Sequence, residues 1–150
     1  MSPSLERARL NIASEIGSDV AEFTPADQKN LLVETAVAAL GGAFLTAFFT
    51  GIAAETGKKV GEALVDFIAD KIEKLRSKNA KEQDKALEES ADEAVVTQLK
   101  GDRLQVVADN VEISLSRALT RDGADEDVSI RVARRVRHEA IQELVLRTSP

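Results

Sequence analysis

Arg131, Arg134, Arg135 and His138 come closest, by type and spacing, to a chemical site in this chain. On a helix they fall within about 100° of one face. Such a face can hold a phosphate or an acidic partner. The chain's own acids compete for the same cations. Glu82, Asp84, Glu88, Glu89, Asp92 and Glu93 crowd an earlier segment, and pairing between the two segments needs no ligand. His138 is the only histidine. No second ligand stands at helical spacing from it, so a solvated surface position is expected. No aromatic residues interleave with the arginines, which argues against single-stranded nucleic acid. The net charge of −6 argues against generic nucleic-acid binding over the whole surface.

Covalent and metal chemistry find little support. The chain has no cysteine, which excludes disulfides, thiolate zinc sites and a cysteine nucleophile. No phosphate-binding loop, nucleophile elbow or metal-binding histidine pair is present. A non-enzymatic protein is expected, with no catalytic residues, no cofactor and no metal.

The central segment offers physical rather than chemical function. From Thr35 to Ala54 no residue is charged. A membrane-crossing helix needs about twenty apolar residues, so the length suffices. Phe44, Leu45, Phe48, Phe49 and Ile52 supply its large side chains, either to a protein core or to lipid. Alanine, glycine and threonine dilute its hydrophobicity, since Leu, Ile, Phe and Val insert most favourably. No Trp or Tyr marks an interface. Ala39, Ala43, Ala47 and Gly51 recur every fourth residue, and Gly57 and Gly61 repeat the spacing. Small residues at this spacing let helices approach closely, within the chain or between copies. Gly41-Gly42 interrupts the run. Two interior glycines cost roughly 1 kcal/mol each and mark a break, a kink or a very close helix contact; the leading expectation is a turn there, with a new helix from about Ala43.

These residues must be positioned by helices. Ser2-Pro3 is an N-cap and first-turn pair, followed by Leu5, Ala8, Ile12, Ile16 and Val20 at helical spacing. Thr24-Pro25-Ala26-Asp27 reads as a restart. Ala63, Leu64, Phe67, Ile68, Ile72 and Leu75 make a strong apolar stripe. Arg76 to Gln83 is polar and reads as a hinge. Leu87, Ala91, Ala94, Val95 and Leu99 outline the next helix. Asp102 with Gln105 resembles a capping box ahead of Leu104, Val107, Ala108, Val111, Leu115, Ala118 and Leu119. Arg121-Asp122-Gly123-Ala124 is a turn. The last helix presents Ile130, Ala133, Val136, Ala140, Ile141 and Leu144 to the core.

The expected fold is therefore all-α, a bundle of about six helices. Residues 1–76 form a hydrophobic, small-residue-rich unit, 77–83 a polar hinge and 84–150 a charged amphipathic unit, with one continuous domain as the alternative. With 43% hydrophobic and 31% charged residues, a chain of this length can bury a sizeable core. The first residues do not form a secretory signal, and a cytoplasmic protein with conditional membrane association is expected. The leading functional expectation is helix–helix association, with a second copy or another helical protein as partner. The alternative is a membrane-active effector that inserts Thr35 to Ala54. A third reading is a soluble adaptor that binds an acidic partner through Arg131, Arg134 and Arg135.

Overall fold

Ser2 begins the first helix as its spacing predicts. Its hydroxyl accepts the Leu5 N–H at 3.4 Å, and Pro3 opens α1, Pro3–Ile16, where its missing N–H costs nothing. A 3-10 turn, Gly17–Glu22, follows. Then come α2 (Val33–Glu55), α3 (Glu62–Arg76), α4 (Ala80–Val96), α5 (Gly101–Arg121) and α6 (Glu126–Thr148). The structure, a computed structural model, describes residues 1–23, 33–55, 61–97 and 99–149. Six α-helices and no strand occur among them, and the class is all-α. The restart expected at Thr24 to Asp27 lies outside the described residues, as does Gly57.

α2 is the axis of the bundle and packs against all five other α-helices. A helix covered on every side must be apolar on every side, which accounts for most of the uncharged run. Phe44, Leu45, Phe48, Phe49 and Ile52 are fully buried. Phe23 meets Phe44 edge-on, with ring centroids 5.5 Å apart.

The turn expected at Gly41-Gly42 does not form, because α2 runs through both residues. The reason is a close crossing by α1. A Cβ on Gly41 would lie 2.8 Å from the Arg9 carbonyl oxygen, and one on Gly42 would lie 3.3 Å from the Arg9 Cδ. Glycine is needed here for approach, not for a bend.

The Arg76–Gln83 segment is a tight connection. Asn79 caps α4 by accepting the Glu82 N–H at 2.9 Å. The Gln83 amide donates to the carbonyls of Leu75 at 2.9 Å and Lys78 at 3.1 Å. α4 thus starts at Ala80, inside the expected hinge. One hydrophobic core takes in residues from both sides of it, Phe44 and Ile68 before, Leu87 and Val136 after.

The capping box expected at Asp102 is absent. Lys100 holds the cap position without a side-chain bond, and Gly101 is already in the helix. Gln105 is used elsewhere, accepting from Arg137 at 2.7 Å. At the other end, the turn expected at Arg121 to Ala124 closes α5. The Ala124 N–H donates to the Leu119 carbonyl and the Gly123 N–H to that of Thr120. This is the Schellman pattern, with Gly123 at φ 109 supplying the backbone conformation it needs.

α1 is fastened by polar bonds that run along α4 and α6. The Ser2 N–H donates to Glu88 at 2.7 Å, the Ser4 hydroxyl to Glu143 at 3.0 Å and the Asn11 amide to Glu139 at 3.1 Å. Arg147 gathers Glu88, Asp92 and Glu143 within 2.9 Å. Burial pushes the Glu88 carboxyl up, but the Ser2 N–H, Arg147 and the N-terminal amine outweigh it and hold it below its ordinary value of 4.5. A carboxyl depressed in the folded state stabilises above its unfolded pKa, and the benefit is lost as pH falls through its folded value. Hydrogen exchange should therefore show the protection factors of Leu5 to Ala8 falling below about pH 4.5, ahead of those in α5. In Glu88→Gln this acid-dependent step should shrink, and an unchanged step would assign the loss to other carboxyls.

Candidate interaction surface

The basic face of α6 divides when the helix is packed. Arg131 pairs with Glu15 at 3.1 Å and with Asp19. Arg135 reaches Glu15 and Glu139, each at 3.7 Å. Arg134 and His138 are exposed, with no ion pair among the described residues. The cations do find protein acids, but not the expected ones. Apart from Glu139 on α6 itself, their partners come from α1 and the 3-10 turn, because α1 is the helix beside that edge of α6. The acids of α4 serve other arginines: Asp84 binds Arg9 at 2.9 Å, and Glu88 and Asp92 bind Arg147. Of the three arginines expected to hold an acidic partner, only Arg134 has no ion pair among the described residues.

The small-residue stripe lies mostly inside the bundle. Ala43 and Ala47 are 1% and 0% exposed, and a Cβ on Gly51 would sit 3.0 Å from Val111 Cγ1. Ala39 is half-buried. Gly61 is exposed and caps α3 at φ 58. The helices that fill the buried part of the stripe belong to the same chain.

The outer side of the α5–α6 hairpin is different. Val106 and Ile113, seven residues apart on α5, are 58% and 50% exposed. On α6, Ile130 and Val145 are exposed and Ile141 is half-buried. Ile130 was expected in the core. It lies on the opposite flank from buried Val132 and Val136, next to the seam with α5. Arg137 closes that seam, donating to Gln105, to Asp109 and to Glu112 at 3.4 Å. Asp102, Asp109, Arg134 and His138 are exposed among these aliphatic side chains. Sequence reading missed the exposure of Val106 and Ile113 and the bonds of Arg137 to α5. The available signal was that Val106 and Ile113 share a phase opposite the Val107–Val111–Leu115 stripe.

A cavity of about 660 Å³ opens between α3 and the α5–α6 turn, lined by Asp66, Asp70, Glu73, Arg76, Arg121 and Asp122 among others. Its charges are largely spent on one another. Arg121 binds Asp66 and Glu62, Lys74 binds Asp70 at 2.9 Å and Arg76 approaches Asp122 at 3.8 Å. Ser77, also in the lining, donates its hydroxyl to the Lys74 carbonyl at 2.8 Å, so no base activates it. Among the described residues no group of three acids or histidines could hold a metal. Compared with known protein families, curated proteins and solved structures, the chain matches none.

Proposed function

We propose that the chain is a non-enzymatic helical interaction protein that pairs through the outer face of α5 and α6 with a second copy of itself. The observation that carries this reading is the exposure of Val106, Ile113, Ile130 and Val145 on one two-helix layer. Single exposed aliphatics need no explanation, but several on one face mark an interaction surface. Charge pattern supports the choice of partner. The outer ridge of α5 sets Asp102 and Asp109 beside Val106 and Ile113. That of α6 sets Arg134 and His138 beside Ile130 and Val145. Laying α5 of one copy on α6 of the other matches apolar with apolar and sets Asp102 near Arg134, while Asp109 stays with Arg137 of its own chain. A two-fold axis makes both such contacts at once.

Sedimentation velocity tests the reading. Wild type should form a dimer that Val106→Glu with Ile113→Glu weakens by at least tenfold, about 1.4 kcal/mol. Melting of the subunit should hardly change, because both side chains are at the surface. Arg134→Glu should weaken the dimer less, as rim charges do. A wild-type monomer across a wide concentration range would end this proposal.

A further inference from the structure

Between Thr35 and Ala54, α2 is uncharged even where burial does not require it. Ala38, Ala39, Thr50, Ala53 and Ala54 are only partly covered, yet none carries a charge. Partly covered positions of the other helices hold Arg9, Glu15, Asp84, Glu88 and Arg137. The hydroxyls of Thr46 and Thr50 are satisfied within the helix. Thr46 donates to the Gly42 carbonyl and Thr50 to the Thr46 carbonyl, each at 2.8 Å. A segment that crosses lipid must satisfy every polar group internally, and Val37–Ala54 is long and apolar enough to cross. The core helix of a water-soluble bundle would pass the length test as well. Core packing does not demand an uncharged rim.

α1 lies across this helix at Gly41 and Gly42, and its bonds run to α4 and α6. Its apolar side, Leu5, Ala8, Ile12 and Ile16, is buried in the core. The fit is not perfect, because Arg9 Nε is buried with no hydrogen-bond partner among the described residues. A buried unsatisfied donor weakens the packed state. We propose that α2 is a membrane-inserting helix and that α1 is the strap that keeps it in the water-soluble bundle. When α1 lifts, α2 loses its cover over the glycine pair and enters a lipid bilayer, while the amphipathic helices lie at the interface. This step does not depend on pairing through α5 and α6.

The test uses the full chain and dye-loaded vesicles of phosphatidylcholine with one-third phosphatidylglycerol. The chain has no cysteine, so Ser4→Cys with Glu143→Cys introduces only two thiols, which a short cleavable cross-linker can join. The bridged protein should leave the vesicles intact, and cleaving the bridge should restore at least tenfold faster leakage. Gly41→Ala, whose Cβ meets the Arg9 carbonyl, should leak faster than wild type. The chain has no tryptophan either, so Phe49→Trp gives a single reporter. Brominated lipid should quench it after cleavage and not before. Equal leakage with and without the bridge overturns the strap. No quenching in cleaved protein or in Gly41→Ala carrying the reporter overturns insertion itself.

Discussion

Phe48→Asp should abolish the folded protein. Phe48 is 0% exposed and sits among Phe44, Phe49 and Ile52, all equally buried. Losing a buried aromatic ring costs about 3–5 kcal/mol. Among the described residues no cation is buried to pair with the new carboxylate, and an unpaired polar group in such a place costs several kcal/mol more. The sum reaches the whole stability of a typical domain, about 5–15 kcal/mol. Circular dichroism should show a lost cooperative melt, and the protein should collect in the insoluble fraction. A soluble Phe48→Asp with a normal melt would mean that α2 is not packed as described.

Local chemistry made much of this fold readable. Ser2-Pro3 starts α1, and Asp122-Gly123 ends α5, because caps and left-handed turns depend on a few adjacent residues. The core stripe from Leu64 to Leu75 follows from spacing alone, although Ala63 at its edge is exposed. What sequence reading missed depends on distant partners. Gly41-Gly42 looks like a break until the Arg9 backbone is placed over it. Arg131 binds α1 rather than α4 because helix order around α2 decides its neighbours, and spacing says nothing about that order. Asn79 with Glu82 was a legible start for α4, hidden by the polar residues around it. Ile130 fits the apolar spacing of α6 but falls on the flank where α5 leaves it open. The proposed surface was the hardest part to read. An exposed Val106 and a buried Val107 are identical in type, and only their phase on the helix tells them apart.

Ala43→Leu combined with Ala47→Leu gives the second large effect. Both alanines face other helices of the bundle with almost no exposure, at 1% and 0%. Leu and Ala differ little in helix propensity, so any loss must come from packing. Overfilling a close-packed site costs about 1–3 kcal/mol. The two sites are one turn apart and share neighbours, so strict additivity is not expected. A combined loss of about 2–5 kcal/mol should lower Tm by roughly 5–20 °C for a chain of this size. Leu10→Ala, at a side chain 52% exposed, should change Tm only slightly and serves as the control. Thermal melting with sedimentation on the same samples decides where the stripe works. Packing within the chain predicts a lower subunit Tm. If the double variant instead melts like wild type and merely falls apart into monomers, the stripe binds between copies, and both the arrangement around α2 and the choice of the α5–α6 face as the dimer surface fail together.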